Sequence, residues 1–268
     1  MDYIKAGHFF GDTQRKLKFS GFTFTDTDYT HPYVDWHYHE NAYFTFLLAG
    51  QLIEGNKKER YYCEPGTLLF HNWQDSHYNI KPVVYTRGCH IEFSQSWFNQ
   101  HELSKSGIEG SFRVLQPLVK LQFYRIYQES RFPDSATGIA MENLLINLLA
   151  DLNQDKAIEK KRPAWLKTCR DYLYEHFNKN VTLADLSVVL NLHPVHISRE
   201  FSRNFQCNLG DFLRRIRIER SLALFFDKRL TLTDIAFQCG FSDQSHFLRT
   251  FKELIGFGPK QYRQFLTT

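Results

Sequence analysis

The chain lacks the marks of a secreted or membrane protein. Its five cysteines, Cys63, Cys89, Cys169, Cys207 and Cys239, are odd in number and form no Cys-x-x-Cys pair. That argues against a disulfide framework or a cysteine-based zinc site, and predicts reduced thiols in a cytoplasm. No run of 18 apolar residues occurs, so no transmembrane helix is expected. The opening "MDYIKAGHFFGDTQRKL" has no apolar h-region and is not expected to be a signal peptide. Low-complexity tracts are missing, and glycine and proline are ordinary. What remains is 268 residues, 43% hydrophobic and 16% aromatic, enough for one or two packed domains.

Charge is unevenly spread. Residues 161–268 carry 17 Lys and Arg against 10 Asp and Glu, whereas residues 1–160 carry 16 against 19. A basic C-terminal part on a mildly acidic N-terminal part points to nucleic-acid contact by the former or to a solvated basic surface.

The texture divides the chain into four stretches. Over residues 1–111, short runs such as "FTFTDTDY", "YFTFLLAGQLIEG", "RYYCEPGTLLF" and "HYNIKPVVYTRGCHIEF" alternate with Gly, Pro, Asn and Asp. That spacing predicts a sandwich or barrel. Residues 112–154 have helical period, with Met141, Leu144, Leu145, Leu148, Leu149 and Leu152 on one stripe. The stripe must bury against the barrel, a second copy of the chain, or the C-terminal domain. "DKAIEKKRP" at 155–163 reads as a linker. Residues 164–268 read as helices throughout.

Within that last stretch the chain repeats itself. "TLADLSVVLNLHPVHISREF" (182–201) returns as "TLTDIAFQCGFSDQSHFLRTF" (231–251). Each copy opens with a cap signature, Thr182 with Asp185 and Thr231 with Asp234. A short helix follows, then Asn191 or Gly240 where the chain must turn, since both tolerate the left-handed conformation. A second helix comes next, near 194–204 and 243–254. Its apolar residues, Ile197 and Phe201 or Phe247 and Phe251, face inward. Its other face is polar and suits a DNA major groove. "LGDFLRRIRIERSLALFF" (209–226) joins the copies as a long helix. Its Arg214, Arg215, Arg217 and Arg220 form either a solvated face or phosphate contacts. Two such readers held about one DNA turn apart reach successive major grooves.

Residues 164–268 resemble the DNA-binding domain of AraC-type transcription regulators. "DIAFQCGFSDQSHFLRTFKELIGFGPKQYR" is similar to that family's C-terminal signature. The first copy is looser, with Gln206 where the second has Gly256 and Leu209 where it has Pro259. The resemblance implies base contacts by Val195, Ser198 and Arg199 in copy one. In copy two it implies Gln244, Ser245, His246 and Arg249. His196 reads a base, touches the backbone or packs.

The N-terminal stretch "DWHYHENAYFTFLLAG" places His37 and His39 on one face of a strand, with Tyr43 on their side, Tyr38 facing away and His77 further on. It resembles a cupin barrel, as in the sensor domains of many AraC-type regulators. In metal-binding cupins a Glu follows the second His by four residues; here that place is Tyr43. The histidines then either wall a small-molecule pocket together with Tyr43, serve the fold alone, or hold a metal through His37, His39 and His77. Without that Glu, no cofactor is expected.

The expected fold class is α+β in two domains. A cupin-like antiparallel barrel with following helices precedes an all-α domain with two helix-turn-helix units. The expected function is a sequence-specific, effector-responsive activator, not an enzyme. Double-stranded DNA, an unknown small molecule, a second copy and RNA polymerase are its partners, with no membrane. The alternative is a metal-dependent cupin-type enzyme with an added helical domain.

Overall fold

A computed structural model describes residues 2–81, 85–101, 110–159, 163–225 and 227–267. The chain divides into two compact units, residues 1–154 and 155–268.

The first unit holds two sheets. One runs in the order β1 (Asp2–Ile4), β4 (Tyr33–His39), β9 (His77–Ile80), β6 (Leu52–Asn56) and β7 (Arg60–Cys63). The other runs β11 (Phe112–Val114), β8 (Leu68–His71), β5 (Ala42–Ala49), β10 (Arg87–Phe93), β3 (Phe22–Asp28) and β2 (Asp12–Lys18). Every pairing is antiparallel except β1 with β4. Among the described residues no ladder joins the two sheets, so the expected closed cupin-like barrel is instead a two-sheet, antiparallel-rich arrangement. β5 is buried on both faces, and its alternation explains why. Phe44 and Phe46 point outward onto Phe123 and Tyr124 of α2 (Pro117–Glu129). Tyr43 and Thr45 point inward, Tyr43 onto His77 of the other sheet and Thr45 onto His71 of the neighbouring β8.

Three elements depart from the sequence reading. Phe112–Val114, expected at the start of a helix, is an edge strand on β8. Pro117 then starts α2, because proline suits the first helical turn and has no N–H for a ladder. A short helix, α1 (Gln95–Gln100), was not anticipated; Ser94 caps it by accepting from the Trp97 N–H. The last is α3 (Thr137–Glu159), which continues through five of the residues read as a linker, while 160–162 lie outside the described residues. Met141, Leu145, Leu148, Leu149 and Leu152 on α3 are fully buried within a single chain. Glu142 bonds Trp97 and His101, and Asp151 accepts from Gln122 of α2. The stripe is thus covered inside the first unit and not by a second copy.

The second unit is helical: α4 (Ala164–Glu175), α5 (Leu183–Leu190), α6 (Pro194–Phe205), α7 (Leu209–Leu224), α8 (Leu232–Gln238), α9 (Gln244–Ile255) and α10 (Pro259–Thr267). Cys169, Leu173, Leu186, Ile197, Phe201, Phe212 and Ile216 make the core around copy one. Around copy two, Phe225, Phe247, Phe251 and Tyr262 pack as a ring cluster, with centroids 5.0 Å apart for Phe225–Tyr262 and 5.6 Å for Phe251–Tyr262.

Candidate DNA-reading faces and histidine pocket

Both repeats fold by the same local chemistry. Thr182 and Asp185 form a reciprocal capping box on α5, and Thr231 and Asp234 form one on α8. Asn191 ends α5 with φ 51°. Gly240 stands at the equivalent place with φ 81°. There a Cβ would come within 2.6 Å of the Asn178 backbone, so copy two needs glycine for space as well as for dihedral.

The second helices bury one side and leave the other open. On α6, Val195, Ser198 and Arg199 are exposed, Val195 at 69%. On α9, Ser245 and Arg249 are exposed while Gln244 and His246 are half-buried. Asp243 caps α9 by accepting from the His246 N–H at 2.7 Å. Gln244 is held from behind: the Thr233 hydroxyl on α8 donates to its Oε1 at 3.1 Å. With its oxygen engaged, the Gln244 amide presents N–H donors outward. The two faces are not equivalent, because Pro194 occupies in copy one the place of Gln244. His196 lies 5.9 Å from the Trp165 ring, partly packed.

The α7 arginines largely serve the domain itself. Arg217 donates to the carbonyls of Phe177 and Lys179 at 2.8 and 2.9 Å. Arg220 lies over Tyr174 and Phe177. Arg214 is tied to Asp211 one turn back. An arginine-rich helix looks like a phosphate track, but here its guanidiniums cap loop carbonyls and cover aromatic faces. No sequence pattern announces that, since the loop at 177–179 is about 40 residues away.

In the first unit the predicted site residues come together between the sheets. His37 and His77 are direct cross-strand partners on β4 and β9, with ring centroids 4.2 Å apart. His39 lies 5.4 Å from His37 and 4.6 Å from Tyr43. The Tyr43 hydroxyl is 2.9 Å from Nε2 of His77. Tyr38 points the other way, against Tyr3. All three histidines are buried. Groups that sequence reasoning missed join them: Glu54 on β6 of the same sheet, and His71 on β8 and His90 on β10 of the opposite sheet. They sit in separate hairpins, and only strand pairing brings them to one place.

Burial sets the protonation states. It pushes His77 and His90 down to about 3, and His39 and His71 well below the usual imidazole range. Glu54 is pushed up to about 8 by the same cause. The 3.5 Å approach of His71 Nδ1 to Glu54 Oε1 therefore joins neutral groups at neutral pH and is not an ion pair. Two sets of potential ligand atoms lie within 4.8 Å of one another: His37, His39 and His77, and Glu54, His71 and His77. The carboxylate absent at Tyr43 is thus offered by another strand. All five described cysteines are free thiols. Among the described residues no helix is long and apolar enough to cross a membrane.

Residues 186–264 match a helix-turn-helix domain family. The chain is 27% identical over 228 residues to YbfI of Bacillus subtilis (strain 168), named as an HTH-type transcriptional regulator, covering 78% of this chain and 80% of that protein. A Staphylococcus aureus (strain COL) protein named likewise is 37% identical over 93 residues, 35% of this chain but only 12% of that protein's length. Among solved structures, ToxT from Vibrio cholerae is similar at 14% identity over 92% of this chain and 100% of that one, with a TM-score of 0.39. The C-terminal domain of AraT from Geobacillus stearothermophilus is 29% identical over 38% of this chain and 85% of that one, with a TM-score of 0.36. Residues 186–264 are thus an AraC-type helix-turn-helix domain, and the chain is a DNA-binding transcription regulator.

Proposed function

We propose that the protein is an effector-responsive activator that reads two successive major grooves. The observation that carries this reading is the duplication: two units with the same capping box and turn, each exposing a polar helix face. Val195, Ser198 and Arg199 read bases from α6; Gln244, Ser245, His246 and Arg249 read them from α9. Arg249 suits guanine O6 and N7, and Val195 a thymine methyl. The pocket holding His37, His39, Tyr43 and His77 is the effector site. Its ligand acts by binding two states of the chain with different affinity. The family resemblance favours a cytoplasmic homodimer that works with RNA polymerase.

Selection of bound sequences from random double-stranded DNA, with full-length protein, tests the reading. Two enriched blocks about 10 base pairs apart are expected. One block means that only one copy reads bases. Salt-sensitive binding without any enrichment overturns the sequence-specific reading.

A further inference from the structure

The pocket between the sheets is small. It offers about 20 Å³ to the centre of a water-sized sphere, roughly one water. Phe9 stacks on His90 with centroids 3.5 Å apart, and Phe10 meets His37 edge-on at 4.9 Å. An ion with a water fits that space. A sugar or fatty acid does not, unless both phenylalanines move.

The imidazoles are arranged for more than packing. Nδ1 of His37 donates to the Asp35 carbonyl at 2.8 Å, and Nδ1 of His77 to the Asp75 carbonyl at 3.2 Å. Each bond fixes the tautomer, leaving the Nε2 lone pair of both rings toward the pocket. Backbone carbonyls orient metal-binding histidines in the same manner. His39 is 3% exposed, and its Nδ1 has no hydrogen-bond partner. A buried nitrogen left unpaired calls for an explanation.

We infer that His37, His39 and His77 form a binding site for one divalent first-row transition metal. As the identity of the effector, this rests on the sensor reading above and names its ligand class. Three imidazoles favour zinc, cobalt, nickel or copper over magnesium or calcium, which prefer oxygen. Around a tetrahedral zinc the nitrogens sit about 3.3 Å apart, given bonds of about 2.0 Å. The three candidate atoms are within 4.8 Å of each other, so small ring rotations close the site. The Tyr43 hydroxyl, which now donates to Nε2 of His77, must swing aside. It then faces the open fourth position. Glu54 and His71 offer ligand atoms within 4.8 Å of those of His77, close enough for the carboxyl group to offset the metal's charge.

Chelator-treated full-length protein titrated with Zn2+ by calorimetry, and with Co2+ by visible absorption, tests the site. One ion per chain is expected, with the intense cobalt bands of a tetrahedral nitrogen site. His39→Ala and His77→Asn should each weaken binding tenfold or more, and Tyr43→Phe should tighten it by freeing Nε2. His176→Ala, on α4's C-terminal end, should change nothing. Thermal melts check that each variant folds, and Zn2+ should raise the melting temperature of the wild type but not of His39→Ala. No uptake, or uptake that survives both His39→Ala and His77→Asn, overturns the site. Affinity for the selected DNA is measured with and without Zn2+. If Zn2+ binds at these histidines and DNA affinity stays unchanged, the site stands and the sensor reading fails.

Discussion

At the scale of the residue, recognition depends on side chains held ready for DNA. Arg249 is exposed on α9 and free to reach a base edge. Arg249→Ala should weaken binding to the selected site by about 1–3 kcal/mol and relax choice at one base position. Equal weakening on cognate and random DNA would make Arg249 a phosphate contact instead. Gln244 is different, because its neighbour sets what it can offer. With Oε1 held by Thr233, its amide N–H groups face outward. Thr233→Val should free the amide to flip and broaden the preference at the base Gln244 reads, whereas Thr233→Ser should restore it. A selection profile unchanged by Thr233→Val would deny Thr233 that positioning role.

At the scale of the element, the two repeats separate what is local from what is not. Capping boxes are local, and both were legible from Thr182, Asp185, Thr231 and Asp234 alone. The turn at Gly240 combines both kinds of constraint. Gly240→Ala forces a Cβ onto the Asn178 backbone in a left-handed residue. It should cost more than the ~1–2 kcal/mol of the dihedral alone, read as a lower denaturation midpoint. The corresponding Asn191→Ala keeps the Cβ already there and should cost about the dihedral alone. Arg217 shows the reverse case, a side chain whose task is invisible locally. Arg217→Ala removes charge-assisted donors from two carbonyls and should destabilise the domain by about 1.5–3 kcal/mol. The salt dependence of DNA binding should not change. A shallower salt slope with unchanged stability would restore the phosphate-contact reading.

At the scale of the whole molecule, two kinds of buried group oppose each other in pH dependence. Burial lowers His90 from 6.5 to about 3, so the stability it contributes is present above pH 6.5 and is lost as pH falls toward 3. Glu54 is raised from 4.5 to about 8, so its contribution is present below pH 4.5 and is lost as pH rises through 8. Lys81, lowered to about 8, adds a change only above that pH. His37, His39, His71 and His77 are also lowered by burial, so acid destabilisation should dominate below pH 6.5. Chemical denaturation of metal-free protein from pH 7 to pH 4 should show the first unit weakening ahead of the second. Flat stability across that range would mean that the imidazoles are solvated.

The sequence alone determined the helical repeat, its caps and turns, and which faces of α6 and α9 stay polar. These follow from interactions three or four residues apart, which a chain carries in its order. Strand alternation also put His37, His39 and Tyr43 on one side, while His77, on a distant stretch, was grouped with them only through the cupin resemblance. Tertiary structure decided the rest. It opened the expected barrel into two sheets, and it turned 112–114 into a strand. It buried the α3 stripe inside one chain and assigned Arg217 to loop carbonyls. It also carried Glu54, His71 and His90 to the pocket from strands far apart in sequence. Those outcomes depend on which strands pair and which helices cover them. Register between distant segments is a property of the assembled core, and no local pattern encodes it.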